Sequence, residues 1–281
     1  MMQIDDRLRD FLYRYDKALP LSSREDVVEE THGYRKLHVT FSSTHGEGVP
    51  ATVYLPRNSE GPFPALLLQH GASTSKDDFY IQQPCRRWSE AGYVCMAIDA
   101  PGHGERSVEG PVARQQLWRL GLIYRMRDLR IQGVVDLMRA LDYLETRREV
   151  DGGRFGYMGV SMGTFLGVPL CAIDRRIRSA AFLIGGGSLR RFMEGTPGVE
   201  EEEMDLVMQV TDPVYFAGRI SPRPVLMLNG ERDEIVPRAA AEALYDALRE
   251  PKEIRWFDMG HTVTGPLYKQ TFQFFSETLS G

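Results

Sequence analysis

Apolar residues along this chain fall into two kinds of run. Early on they alternate with polar ones: Tyr34 to Ser42 and Val49 to Leu55 read as a half-exposed antiparallel pair, joined by the turn-like Thr44-His45-Gly46-Glu47-Gly48. Further along they become nearly continuous, in Ala65-Leu-Leu-Leu-Gln69, Tyr93-Val-Cys-Met-Ala-Ile98, Phe155-Gly-Tyr-Met-Gly-Val160, Ala180-Ala-Phe-Leu-Ile184 and Val225-Leu-Met-Leu-Asn229. Strands covered on both faces read this way. Helical segments are expected at Phe79 to Ala91, Val112 to Glu149, Met162 to Ile173 and Arg238 to Arg249. Within the second, Ile131, Val134, Val135, Met138, Leu141 and Leu144 keep a helical period. Strands alternating with helices predict an α/β fold, a mostly parallel sheet whose carboxyl ends share one edge. Two stretches interrupt the alternation, Arg106 to Arg130 and Gly187 to Asp212; connections this long carry function or helices of their own.

Composition narrows the class. The 281 residues are 42% hydrophobic and 26% charged, enough for a sizeable core and unlike a disordered chain. A net charge of −5 argues against a general nucleic-acid binder, and no apolar run reaches the length of a membrane span. Cys85, Cys95 and Cys171 show no CxxC spacing and cannot all pair, so neither a disulfide framework nor a cysteine-rich zinc site is expected, in a reduced, cytoplasmic setting; the serine chemistry described below calls for no metal and no cofactor.

The strongest local signal is Gly159-Val160-Ser161-Met162-Gly163, between a buried strand and a helix. A G-x-S-x-G at that junction describes a nucleophile elbow, a sharp turn that lifts the serine above the sheet. A serine hydroxyl needs a base and an oriented acid to attack near neutral pH. Of six histidines, His261 lies after the apolar Ile254 to Phe257 segment, at the sheet's carboxyl edge, and is the expected base. The acid is sought after the strand ending at Asn229, where Glu231, Asp233 and Glu234 compete and chain order alone does not choose. Oxyanion donors are expected at the backbone N–H of Met162 and of Ala72, in the loop Gln69-His70-Gly71-Ala72-Ser73, with Gly71 permitting a tight turn. His70 is read as orienting that loop, and His103, in Asp99-Ala-Pro-Gly-His-Gly104, as a turn histidine.

Taken together, these motifs resemble the α/β-hydrolase superfamily, in the branch of dienelactone-hydrolase-like and prolyl-oligopeptidase-like serine esterases. The matching pieces are His70-Gly71, Asp99-x-Pro-Gly-His-Gly104, Gly159-x-Ser-x-Gly163, Gly230-x-x-Asp233-x-x-Val236-Pro237 and Gly260-His261. The resemblance implies the triad Ser161, Asp233 and His261 with an oxyanion hole at Ala72 and Met162. It also implies a mostly parallel eight-stranded sheet with helices on both faces; the long 188–212 connection is read from its length as a helical insertion, either a lid or pocket wall or a plain surface element. The domain is expected over 34–281, and 1–33 as a helical extension with a helix from Asp5 to Lys17. Dienelactone hydrolases proper use cysteine as nucleophile, so Ser161 disfavours that substrate; the short N-terminal segment is too small for the propeller of the peptidases.

The function these features predict is a serine carboxylesterase acting on small-molecule esters of short to medium acyl chains through an acyl-enzyme. The same triad would serve a small peptidase, an amidase or a thioesterase, because fold and triad do not fix the scissile bond. A non-catalytic binding protein on the same fold is disfavoured by the full set of nucleophile, acid, base and oxyanion turn.

Overall fold

The computed structural model describes residues 3–107, 122–192 and 199–280. Nine strands form one sheet: β1 (Arg24–Glu30), β2 (Tyr34–Ser42), β3 (Gly48–Pro56), β4 (Phe63–Gln69), β5 (Val94–Ile98), β6 (Val150–Val160), β7 (Ile177–Leu183), β8 (Val225–Gly230) and β9 (Lys252–Phe257). Their spatial order is β1-β2-β3-β5-β4-β6-β7-β8-β9. The pairings β1–β2, β2–β3 and β3–β5 are antiparallel, and every pairing from β5 to β9 is parallel.

The helices are α1 (Asp6–Leu12), α2 (Phe79–Glu90), α3 (Leu122–Glu145), α4 (Met162–Ile173), α5 (Glu201–Thr211), α6 (Arg238–Ala247) and α7 (Gly265–Thr278). They cover both faces. Ala65 and Leu67 of β4 belong to a core shared with α3 and α4, while Leu66 and Leu68 face a second core built with Ile81, Cys85 and Trp88 of α2 and Leu267 and Phe275 of α7. Alternate residues of one strand thus enter two different cores, which is why these strands are apolar without interruption.

The sheet has nine strands where eight are expected from the sequence. The additional strand is β1, inside the segment 1–33 expected to be helical. Its sequence, Arg-Glu-Asp-Val-Val-Glu-Glu, has no apolar alternation because it is an edge strand exposed along almost its whole length. The expected helix over Asp5 to Lys17 is shorter, Asp6–Leu12, capped by the Asp5 carboxylate, which accepts from the Leu8 N–H. Of the long helix expected from Val112, the part from Leu122 is present, and 112–121 lies outside the described residues.

In the 188–212 insertion, a 3₁₀ turn (Leu189–Phe192) and α5 are described, and 193–198 is outside the described residues. Met204, Val207 and Met208 of α5 form a third, smaller cluster with Ile123 and Leu189, and Phe165 of α4 packs against it. The Asp212 carboxylate ties the two ends of the insertion together, accepting from the N–H groups of Ser188, Leu189 and Val214. The N-terminal segment adds a strap: the Arg9 Nε–H donates to the Gln209 carbonyl (2.7 Å) and the Tyr13 hydroxyl to that of Val210 (2.6 Å). These satisfy carbonyls at the end of α5 that the helix itself leaves open.

Candidate active site

The site begins where β6 turns into α4. Ser161 holds φ 52°, ψ −110°, a left-handed φ that a side-chain-bearing residue seldom adopts. The two flanking glycines are required by close approach. A methyl on Gly159 would lie 2.4 Å from the Gly163 carbonyl oxygen, and one on Gly163 would lie 2.3 Å from that of Gln69. Ser161 occupies the position before the first turn of α4, yet its side chain makes no capping hydrogen bond. Its hydroxyl points instead to His261, with 2.9 Å between Oγ and Nε2.

His261 lies in the loop after β9 and Asp233 in the loop after β8. Adjacent parallel strands bring the two loops side by side, and backbone bonds stitch them: the Glu231 N–H donates to the Phe257 carbonyl (2.8 Å) and the Arg232 N–H to the Met259 carbonyl (3.0 Å). His261 Nδ1 and Asp233 Oδ2 are 2.7 Å apart. The other carboxylate oxygen, Oδ1, accepts from the N–H groups of Ile235 (3.0 Å) and Val236 (2.9 Å). An ionised carboxylate only accepts, so Nδ1 carries the proton and Nε2 is left to accept from the serine hydroxyl. Of the three carboxylates in this loop, geometry singles out Asp233; Glu231 and Glu234 are exposed. The Asp233 side chain is 1% exposed and that of His261 18%, so among the described residues the carboxylate is buried and the ring is recessed.

The loop after β4 supplies the remaining parts. A methyl on Gly71 would stand 3.5 Å from Ser161 Cβ, which puts the peptide leading to Ala72 beside the serine. Met162, the first residue of α4, adjoins it on the other side. The hydrogen bonds among the described residues give neither the Ala72 nor the Met162 amide a protein acceptor. The residue of this loop with a left-handed φ is Ser73 (61°), so the tight turn falls two positions later than the glycine suggested by sequence, and Gly71 serves close approach instead.

His70 is fully buried. Its Nε2 accepts from the Ala100 N–H (3.1 Å), so Nδ1 bears the proton and donates to the Gly71 carbonyl (2.7 Å). Burial pushes its pKa down to about 4, and the neutral ring spans from the β4 loop to the β5 loop. The His103 ring meets the Pro101 carbonyl at Nδ1 (3.0 Å) and lies 5.3 Å from the ring of His70, as expected of a turn residue.

Three neighbours carry weight that no sequence spacing announces: Thr74, Tyr80 and Lys76. The ammonium of Lys76 is fully buried among Asp77 (2.6 Å), Glu105 (2.5 Å) and Asp99 (3.2 Å). Burial by itself would lower its pKa, but the hydrogen bonds to Asp77 and Glu105 and the Asp99 charge more than reverse this and hold it above the ordinary lysine value. Asp99 in turn accepts from the N–H groups of Lys76 (2.9 Å) and Glu105 (3.0 Å). Only the Asp99-x-Pro-Gly-x-Gly pattern hinted at this clamp, since the close packing of Gly104 against the Asp99 carboxylate leaves no room for a side chain there.

Comparison with known proteins places the chain in a family. The profile of the family described as "Acetyl xylan esterase (AXE1)" matches residues 13–184, more than half of the chain. Esterase YjfP of Escherichia coli (strain K12) is 26% identical over 201 residues, covering 67% of this chain and 76% of its own. Two solved structures superpose closely. The acetyl xylan esterase from Paenibacillus sp. R4 does so with a TM-score of 0.82 at 23% identity (99% of this chain, 97% of that one), and acetyl xylan esterase 1 from Thermoanaerobacterium sp. JW/SL YS485 with 0.81 at 22% (98% and 93%). At these identities the superpositions establish the fold, and the profile establishes the kinship. The chain belongs to the acetyl xylan esterase (AXE1) family, and it is a carboxylic ester hydrolase on the α/β-hydrolase fold.

Proposed function

We propose that this protein is a serine carboxylesterase that removes short acyl groups, acetyl foremost, from alcohols through an acyl-enzyme. The observation that carries this reading is the continuous relay from Ser161 Oγ through His261 to Asp233, at 2.9 and 2.7 Å. His261 Nε2 takes the hydroxyl proton as Ser161 Oγ attacks the ester carbonyl. The Ala72 and Met162 amides stabilise the oxygen that turns negative, a contribution commonly worth several kcal/mol of barrier. The imidazolium then protonates the leaving alcohol, and a water deprotonated by the same ring releases the acid and restores the serine. Asp233 keeps the ring in the productive tautomer and stabilises its charged form.

The preference for acetyl rests on the family and on relatives named for acetylated xylan, and an acetylated carbohydrate is the substrate class that fits both. The apolar side of α5 packs with Phe165, one helical turn beyond Ser161, and this contact supports reading the described part of the insertion as a pocket wall. The test is a panel of p-nitrophenyl acetate, butyrate and octanoate, with p-nitroacetanilide, acetyl-CoA and acetylated xylan in parallel. Acetate should give the highest kcat/KM among the aryl esters, and Ser161→Ala should lower turnover by about 10⁴-fold or more. Retention of full activity by Ser161→Ala would contradict the reading, and preference for the anilide or the thioester would reassign the scissile bond.

A further inference from the structure

A closed ring of hydrogen bonds starts and ends on Gly71. Its N–H donates to the Tyr80 hydroxyl (2.7 Å), that oxygen lies 2.6 Å from Thr74 Oγ1, and Thr74 Oγ1 donates to the Gly71 carbonyl (2.8 Å). Proton counting fixes the direction. Thr74 has one hydroxyl proton, and it is spent on the Gly71 carbonyl, so the Tyr80 hydroxyl must donate to Thr74 while accepting from Gly71. Each hydroxyl is then donor once and acceptor once, the arrangement in which neighbouring bonds polarise and strengthen one another. His70 Nδ1–H adds a second donor to the same carbonyl (2.7 Å); its 3.5 Å separation from Thr74 Oγ1 is too long to compete. The frame behind the ring is also fixed, because the Tyr268 hydroxyl donates to the Tyr80 carbonyl (2.7 Å).

The Gly71 carbonyl and the Ala72 N–H belong to one planar trans peptide and point in opposite directions. Donors that hold the carbonyl therefore set the line along which the Ala72 N–H is aimed. We propose that Thr74 and Tyr80 are positioning residues for ester hydrolysis: their hydroxyl ring aims the Ala72 N–H at the oxygen that becomes negative when Ser161 attacks. This deepens, and rests on, the assignment of Ala72 as an oxyanion donor. A ring that merely tightened a surface turn would alter melting temperature and leave the chemistry alone. A ring that aims the donor alters the transition state more than substrate binding. Burial raises the Tyr80 pKa, so the phenol remains a donor across the working pH range.

The experiment uses Thr74→Val, which keeps the shape and removes the hydroxyl, Thr74→Ser, which keeps the hydroxyl, and Tyr80→Phe, which breaks the ring at its other member. Each is assayed for kcat and KM on p-nitrophenyl acetate. Each is also assayed for inhibition by an alkyl trifluoromethyl ketone, whose carbonyl is attacked by Ser161 Oγ to give a hemiketal oxyanion while the serine proton passes to His261. Thr74→Val and Tyr80→Phe should lower kcat by about 10- to 100-fold with KM within about twofold, the size expected for a misaimed group near the chemistry. The ketone should weaken by a similar factor, and Thr74→Ser should restore most of both.

If Thr74→Val and Tyr80→Phe fold yet keep kcat and ketone inhibition near the parent values, the proposal is wrong. If Thr74→Val does not fold, Tyr80→Phe decides alone, since it opens the same ring by removing the Gly71–Tyr80 and Tyr80–Thr74 bonds. Ser161→Ala in the same assay reports separately on the underlying reading. An inactive Ser161→Ala beside fully active ring variants overturns only the positioning role, whereas an active one overturns both.

Discussion

At the scale of single residues, the site is a study in which proton each ring nitrogen holds. Asp233 spends one oxygen on two backbone amides and the other on His261 Nδ1, so the imidazole has one tautomer open to it. His70 is held in the same tautomer by different partners: an amide donor at Nε2 and a carbonyl at Nδ1, in a fully buried site. Protonating His70 would set an N–H against the Ala100 N–H, which agrees in direction with its lowered pKa. The consequence for stability has a definite sign. Between about pH 6.5, the ordinary value, and about pH 4, the unfolded chain binds a proton at this ring and the folded protein does not. Stability therefore falls as pH drops through that window, by up to about 1.4 kcal/mol per pH unit from this residue. Chemical denaturation from pH 6.5 to 4.5 should show a shallower pH slope in His70→Gln than in the parent. Equal slopes would show that His70 titrates alike in both states.

At the scale of elements, the strand-to-helix turn at Ser161 is legible in sequence because steric necessity wrote it there. Gly159 and Gly163 stand where strand, helix and the end of β4 nearly touch, and α4 runs over the Met162 to Ile173 span that the motif and the apolar pattern predict. The parallel strands are legible for a related reason, since two cores ask for apolar residues at every position. β1 is invisible for the converse reason: with almost no buried side chain, Arg24–Glu30 carries no apolar pattern and is held by backbone pairing to β2. Choosing Asp233 over Glu231 and Glu234 needed either the family resemblance or the coordinates, because three carboxylates within four positions differ only in where the backbone turns them.

The loop-to-loop clamp around Lys76 was likewise hidden, since a lysine ordinarily marks a solvated surface. Its removal has a forecast. Lys76→Met leaves the fully buried Asp99 carboxylate without its cation, a change that typically costs about 3–5 kcal/mol. Urea denaturation at pH 7 should show a loss of that order, and a loss below about 1 kcal/mol would mean the clamp contributes little.

At the scale of the whole molecule, function follows from strand order. β6 carries Ser161 at its carboxyl end, its neighbour β4 leads into the loop with His70, Gly71 and Ala72, and on its other side β7 and then β8 and β9 lead to Asp233 and His261. Residues as far apart in sequence as His70 and His261 thus come to one edge with no need for a long loop to reach across. The periphery is tied to this centre from outside the sheet: the N-terminal segment bonds the end of α5 through Arg9 and Tyr13, and Asp212 closes the base of the insertion over the nucleophile helix. Among the described residues no helix is long and apolar enough to cross a membrane.

The claim on which the rest depends is that this convergence makes one hydroxyl of the folded chain unusually nucleophilic. Incubation with a fluorophosphonate followed by intact mass and peptide mapping tests it directly. A single adduct is expected, on Ser161, formed by the folded protein, lost on unfolding in urea and strongly slowed in His261→Gln. A folded protein that takes up no adduct, or takes it up at another residue, would contradict it.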